Sequence, residues 1–208
     1  MPQAITVEYI RRLGRPVFTT RELSDISGKS MSTVSQALAY LSEHTIVKKI
    51  YRGVWVEVGG KLLSPYMVVP HLFRGSRVYV SFLSALHLHG IIEQIPQVIT
   101  LASTAHTRKI TTTVGTFLVH KISSQFFSGF EWYKGTGSFL VAEPEKALAD
   151  CLYLFTRKKK QYGFFPELNL KKPFDVKKAR EWIQKIPDKK ALVAAEIKLE
   201  EIIKKRNN

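Results

Sequence analysis

The sequence has one cysteine, few acidic side chains and no long apolar run. A lone Cys151 excludes an internal disulfide and a zinc site built from thiolates. No stretch approaches the roughly 20 consecutive apolar residues that a membrane-spanning helix needs. The first residues also lack the apolar run of a signal peptide. We therefore expect a soluble cytoplasmic protein with no membrane attachment.

Acids are scarce relative to bases, since 32 Lys and Arg face 17 Asp and Glu in 208 residues, a net charge of +15. Such an excess is typical of proteins that bind a polyanion, either nucleic acid or an anionic membrane surface. The apolar content of 45% excludes a disordered basic tail. The surplus is +5 in residues 1–75, +1 in residues 76–155 and +9 in residues 156–208. Basic surface is therefore expected at the two ends of a folded chain.

The first sixty residues have the pattern of three helices. Apolar residues at helical spacing predict a helix over 7–13. Thr19 and Glu22 have the capping-box spacing that begins a second helix. Ser30 has the position of an N-cap for a third helix, which starts at Met31. This order is that of a helix-turn-helix.

The third helix is predicted to combine a buried stripe with a polar face that contains no acid. That face consists of Ser32, Thr33, Ser35, Gln36, Ala39 and Tyr40, and it offers several hydroxyl groups and an amide, with no carboxylate before Glu43. It does not repel phosphates, and it can bond to base edges in a major groove. Two alternating runs that meet at Gly53 predict a β-hairpin over 46–58. In a winged fold this hairpin reaches the DNA backbone with Lys48, Lys49, Tyr51 and Arg52.

We therefore predict an α+β protein in which residues 1–60 form a winged helix-turn-helix that binds double-stranded DNA. Residues 61–208 are predicted to form a mixed α+β domain with a basic helical C-terminus. The predicted DNA contacts are Thr20, Arg21, Ser30, Ser32, Thr33, Ser35, Gln36, Tyr40, Lys48, Lys49, Tyr51 and Arg52. A small helical bundle whose hairpin contacts protein has the same pattern, so a protein-interaction module that does not touch DNA is the alternative.

The rest of the chain supplies no catalytic constellation. No two aspartates lie two positions apart, as a pair holding Mg²⁺ in a nucleotidyltransferase would. Glu143 and Glu145 flank Pro144 at a predicted helix start, where acids complement the helix dipole. His87 and His89 are two apart, whereas zinc-binding helices use four-residue spacing. We predict no enzyme activity, no metal and no cofactor.

Two features of the second half leave alternatives open. Five aromatic residues between Phe126 and Tyr133 are expected to pack in the core, and an exposed set would form a partner-binding patch. Two C-terminal helices, beginning after Asp175 and Asp188, lie within residues 156–208, the segment with the largest basic surplus. DNA contact, an acidic protein partner and plain solvation all agree with that surplus. A membrane surface is less favoured, because the N-terminal segment already accounts for a need for basic residues.

Two segments resemble motifs of one family. Residues 79–90, a predicted helix capped by Ser81, are similar to the stretch S-x-x-S-A-L-x-x-H-G of AbiEi-type antitoxins. Residues 141–150 are similar to that family's A-x-P-E-[RK]-A-L-x-D helix start, and Arg52 to Trp55 match its wing. The segments follow in the same order over about residues 7–155.

The resemblance implies a bacterial or archaeal transcriptional regulator from a type IV toxin–antitoxin system. Such a protein represses its own operon and neutralises a nucleotidyltransferase-like toxin. Solitary members of the family also exist, so a solitary regulator with no toxin is a second alternative. The resemblance implies nothing about the oligomeric state.

Overall fold

The fold of the protein is mixed α+β, as the sequence predicts. The computed structural model describes residues 2–59, 64–73, 75–135, 137–155, 166–170 and 174–207. The chain forms two compact units. The first comprises Met1–Gly75, Thr111–Gly115 and Thr136–Ser138, and the second comprises Ser76–Ile110, Thr116–Gly135 and Phe139–Asn208.

The first unit contains three longer helices and a small sheet. Its elements are α1 (Pro2–Leu13), β1 (Val17–Thr19), α2 (Thr20–Ser27), α3 (Met31–Glu43), β2 (Val47–Tyr51) and β3 (Val54–Glu57). The strand order is β1-β3-β2, and both pairs are antiparallel. The predicted hairpin is confirmed, with Arg52 and Gly53 as its turn.

The first unit continues beyond the predicted domain boundary at residue 60. A 3₁₀ helix (Pro65–Val68) and the short α4 (Val69–Leu72) follow the sheet. Val68, Val69 and Phe73 are buried, and α4 packs against β1. These apolar residues bury their side chains in the first unit, which extends to Gly75.

Local hydrogen bonds fix the ends of α2 and α3. The Thr19 hydroxyl accepts from the Glu22 amide at 3.2 Å, and the Glu22 carboxylate accepts from the Thr19 amide at 2.8 Å. The predicted capping box is therefore confirmed. Gly28 ends α2 with φ of 66°, a left-handed conformation that glycine adopts without strain. Ser30 caps α3, since its hydroxyl accepts from the Thr33 amide at 3.2 Å.

A single apolar cluster holds the first unit together. Every element from α1 to β3 contributes to it, through Ile10, Phe18, Leu23, Val34, Leu38, Leu41, Val47 and Trp55. The predicted buried stripe of α3 is confirmed, since Val34, Ala37, Leu38 and Leu41 are all buried. Burying one of its larger side chains fully contributes about 1.5–3 kcal/mol. Because this stripe faces the core, the opposite face of α3 must face outward.

The second unit is built on a six-stranded mixed sheet with the order β6-β7-β5-β4-β9-β8. The strands are β4 (Val78–Val80), β5 (Ile99–Ser103), β6 (Arg108–Thr112), β7 (Gly115–Lys121), β8 (Phe130–Trp132) and β9 (Leu140–Ala142). β4 pairs antiparallel with β5 and parallel with β9. β5 pairs parallel with β7, and β8 pairs antiparallel with β9.

Helix α6 (Pro144–Phe155) lies at the centre of the second unit, packed against α5 (Phe82–Leu88), α7 (Val176–Gln184) and α8 (Lys189–Asn207). All its residues from Glu145 to Leu154 are buried. Both C-terminal helices start where predicted, because α7 has Asp175 as its N-cap, and Asp188 accepts from the Ala191 amide ahead of α8. None of the helices within the described ranges is long and apolar enough to cross a membrane.

Candidate nucleic-acid interface

The outward face of α3 is exposed and carries no charge. Ser32, Ser35, Gln36, Ala39 and Tyr40 are all exposed, and their spacing places them on one side of the helix. The only acid of α3 is its last residue, Glu43. Within the described part of the chain, the side chains of Ser32, Ser35 and Gln36 make no hydrogen bond to another residue. Their donors and acceptors are therefore available to a ligand.

The first turn of α3 presents two further predicted residues. Ser30 and Thr33 are exposed, and their hydroxyl oxygens lie 2.9 Å apart in a mutual hydrogen bond. Both hydroxyls help to order the helix start, where the unpaired backbone amides attract negative charge. A phosphate at this position would be favoured.

The far end of the face is ordered by a contact that the sequence did not indicate. The rings of Tyr40 and His44 lie 4.1 Å apart between centroids. His44 Nδ1 is also 2.9 Å from the Tyr40 carbonyl oxygen. Tyr40 remains 41% exposed, so its ring is supported on one side and accessible on the other.

The β2–β3 hairpin exposes three cations and a tyrosine. Lys48 and Lys49 are both exposed, although they are consecutive in a strand. The register of the pairing shifts between Lys49 and Tyr51, and such a bulge re-aims side chains. Lys49 Nζ lies 5.7 Å from the centroid of the Trp55 ring. Tyr51 is 39% exposed, and Arg52 is exposed at the turn.

Thr20 is the one predicted contact that the structure contradicts. It is only 4% exposed, and its hydroxyl accepts a hydrogen bond from the Trp55 indole nitrogen at 3.0 Å. Its role is therefore to satisfy a buried donor. Arg21, the next residue, is exposed.

A backbone hydrogen bond joins the start of α2 to the hairpin turn. The Thr20 amide donates to the Gly53 carbonyl oxygen at 3.0 Å. Arg21 and Arg52 each adjoin one of these two residues, so their backbones are neighbours. Eleven of the twelve predicted residues are thus exposed on α2, α3, the turn between them, and the hairpin. Within the described residues, neither Arg21 and Arg52 nor the two hairpin lysines form an ion pair.

A second polar cluster lies inside the second unit and was not anticipated as a cluster. Asp150 accepts hydrogen bonds from the Tyr79 hydroxyl at 3.0 Å and from the Ser81 hydroxyl at 2.6 Å. Lys146 donates to Asp150 and, at 3.0 Å, to the Tyr79 hydroxyl oxygen. Its ammonium also lies 3.8 Å from the Phe126 ring centroid. Lys146 and Asp150 lie four residues apart in a mostly apolar helix, and this spacing could have indicated a buried ion pair.

This buried network is closed to solvent. Lys146 and Asp150 are fully buried. Burial lowers the pKa of Lys146 and raises the pKa of Asp150, and in each case the partner acts in the opposite direction. Burial and the adjacent Asp150 raise the pKa of Tyr79. No member of the network reaches the surface, so the network belongs to the interior of the second unit.

The network also corrects the predicted role of Ser81. This residue is the N-cap of α5, but its side chain makes no capping hydrogen bond. The hydroxyl instead donates to Asp150 in α6. The predicted helix over 79–90 is shorter than expected, because Val78–Val80 form β4 and α5 starts at Phe82.

Three further polar candidates, Glu143, Glu145 and His89, have structural partners. The Glu145 carboxylate accepts from the Asp175 amide at 2.9 Å, and Glu143 pairs with Lys178 at 2.8 Å. The hydrogen bond with Glu143 raises the pKa of Lys178. His89 Nε2 lies 2.7 Å from the Ala142 carbonyl oxygen. Among the residues that the structure describes, no three His, Cys, Asp or Glu side chains could hold a metal ion.

The predicted aromatic cluster packs mainly inside the second unit. Phe126 is buried, and Phe127 and Phe130 lie against the Tyr79 ring at centroid distances of 5.1 Å and 4.6 Å. Tyr133 stacks on Phe139. Trp132 alone among the five is exposed, at 62%, so the cluster forms no continuous surface patch.

Comparison with models of known protein families and with curated proteins gives no match to this chain. Two features bear on function: the exposed chemistry of the first unit, and the resemblance of three segments of the chain to motifs of AbiEi-type antitoxins. The exposed chemistry is an uncharged polar face on α3, together with cations on α2 and the hairpin that form no ion pair within the described residues. Those groups are suited to a polyanion with polar edges.

Proposed function

We propose that the first unit is a winged helix-turn-helix that binds double-stranded DNA, and that the protein is a transcriptional regulator of the AbiEi type. In this proposal α3 enters the major groove, and the β2–β3 hairpin contacts the phosphate backbone. The order of helices and strands and the β1-β3-β2 sheet support this assignment. The helix pair α2–α3 is joined by a short turn at Gly28, and this order of elements supports a helix-turn-helix.

The observation that carries the proposal is the exposed face of α3, which has no acid before Glu43. Two of the elements that pack against α3, namely α2 and β2, expose cations that form no ion pair among the residues the structure describes. A solvated helix face without a ligand usually mixes acids with bases. Here hydroxyl and amide groups face outward, and Arg21, Lys48, Lys49 and Arg52 supply charge on α2 and on the β2–β3 hairpin, both of which contact α3. Phosphate contacts give affinity, and uncharged polar groups read base edges.

The regulatory role follows from the family resemblance. The buried network joins Tyr79 and Ser81, from one motif, to Lys146 and Asp150, from the other. This meeting of the two motifs supports a shared fold. We accordingly propose that the protein represses its own operon and neutralises a nucleotidyltransferase-like toxin. The alternatives are a toxin-neutralising module without DNA binding and a solitary regulator.

The test measures binding of the full chain to the duplex upstream of its own gene by fluorescence anisotropy. Measurements between about 50 and 300 mM salt, a range of roughly sixfold, separate electrostatic contacts from other contacts. Four phosphate contacts predict a slope of about −3 to −4 for log affinity against log salt. Replacing Lys48, Lys49 and Arg52 with glutamine should lower the slope magnitude by about 2–3. A matched control replaces Lys109, Lys121 and Lys134 of the second unit.

Equal losses in the two triple variants would mean that net charge alone drives binding, and the docking would be wrong. Absence of duplex binding by the unmodified chain would refute DNA binding. The toxin role is tested separately, by co-expression with the product of an adjacent gene. Growth arrest by that product, relieved by this chain, supports the antitoxin role, and the absence of any toxic neighbour supports a solitary regulator.

A further inference from the structure

The residues of α3 that face outward define which bases the helix can read. Arginine and lysine pair with guanine, aspartate and glutamate accept from cytosine, and glutamine or asparagine pair with adenine. From Met31 to Ser42 the helix has no arginine, lysine, aspartate or glutamate. Its exposed face therefore lacks the side chains that select G·C pairs.

The groups that are present match A·T pairs. Gln36 is exposed at the centre of the face, and its amide can donate to adenine N7 and accept from adenine N6. Ala39 is exposed one turn farther along and offers a methyl group of the kind that contacts the thymine methyl. The hydroxyls of Ser32 and Ser35 accept or donate, so they tolerate either pair.

The length of the face sets the size of the site. Ser32 and Ala39 are seven residues apart, a rise of about 10 Å along the helix. This equals the rise of about three base pairs of duplex.

We propose that α3 reads a core of about three base pairs dominated by A·T, with Gln36 as the specificity-determining residue that pairs with adenine. This inference rests on the proposed DNA binding of the first unit. It goes further by naming the base class and the side chain that selects it.

The experiment selects duplexes from a random-sequence library with the full chain and then measures affinity for the selected sequence. An A·T core should emerge. Replacing the selected adenine with 7-deazaadenine, which lacks N7, should weaken binding about tenfold. The same replacement should leave binding by Gln36→Ala unchanged. Gln36→Arg should move the preference at that position from adenine to guanine, and Gln94→Ala, at an exposed glutamine of the second unit, should change neither.

The outcomes separate this inference from the proposed function. Salt-dependent binding with no base preference, or with a G·C core, would overturn the inference and leave DNA binding standing. An A·T core that is insensitive to 7-deazaadenine and to Gln36→Arg would reflect duplex shape and would overturn the role of Gln36. No binding to any duplex would refute the proposed function itself.

Discussion

The most informative cations of the two units lie in opposite environments. In the first unit, Arg21, Lys48, Lys49 and Arg52 are exposed and unpaired within the described residues, beside a helix face without acids. In the second unit, Lys146 is fully buried and paired with Asp150. Cations at a surface are available to a ligand, whereas buried ones are committed to structure. The net charge of the chain therefore says less about function than the position of each charge.

The largest effect should come from breaking the buried pair. Lys146→Ala leaves the Asp150 carboxylate buried without its cation, so the free energy of unfolding should fall by about 3–5 kcal/mol. Urea denaturation measures the loss. A second readout is the single thiol of Cys151, whose pKa is raised by burial, so that it reacts slowly with thiol reagents until the unit unfolds. The variant should expose this thiol faster.

Lys134→Ala provides the control, because that lysine is 84% exposed and should change stability very little. Replacing both buried partners with leucine should recover part of the loss, since no unpaired charge then remains. A Lys146→Ala protein as stable as the unmodified chain would contradict the view that this pair holds the second unit together.

Long-range partners mark the limit of what the sequence could predict. The capping box of Thr19 and Glu22, the N-cap at Ser30 and the hairpin turn at Gly53 are local features, and all are found. Ser81 was predicted to cap its own helix, but it bonds to Asp150, 69 residues away. Local spacing carries no information about such a partner.

Weak apolar patterning leaves β6 without a signal in the sequence. β6 is an edge strand, and of its residues Arg108 to Thr112 none is buried. An exposed edge strand needs no alternation of apolar and polar residues, so periodicity does not reveal it. On the proposed DNA surface, every predicted position except Thr20 is exposed. The Thr20 hydroxyl accepts a hydrogen bond from Trp55, 35 residues away. As with Ser81, local spacing in the sequence could not predict so distant a partner.

The next largest effect separates a buried structural residue, Thr20, from its exposed neighbour, Arg21, in the first unit. Thr20→Val removes the acceptor of the Trp55 indole and should lower the free energy of unfolding by about 1–3 kcal/mol. DNA affinity of the folded protein should not change. Arg21→Gln should do the reverse, with unchanged stability, weaker DNA binding and a salt slope smaller by about 1. Thermal denaturation and anisotropy measure both, and weaker DNA binding by Thr20→Val at a temperature where it is folded would restore Thr20 as a contact.

A smaller effect is expected at the start of α2. Thr19→Ala removes the hydroxyl that accepts from the Glu22 amide, and loss of such a cap costs about 1 kcal/mol. Thr19 is not one of the predicted DNA contacts. DNA affinity measured well below the unfolding transition should therefore be retained. Thr104→Ala, at an exposed loop threonine, is the control for chemical denaturation. Equal stability of the two variants would show that the capping box contributes nothing.

The smallest effect concerns the basic C-terminal helices. From the sequence, their excess of Lys and Arg agrees with DNA contact, with an acidic protein partner and with plain solvation. Arg180 pairs with Glu200 at 2.9 Å, and both side chains are about half exposed. Exposed pairs of this kind contribute about 0–1 kcal/mol, so Arg180→Gln should barely alter the unfolding transition. A cation already paired with a carboxylate is also poorly placed to release counterions from DNA. The salt slope of Arg180→Gln should therefore match that of the unmodified chain. A slope smaller by about 1 would instead mean that Arg180, in α7, contacts the duplex.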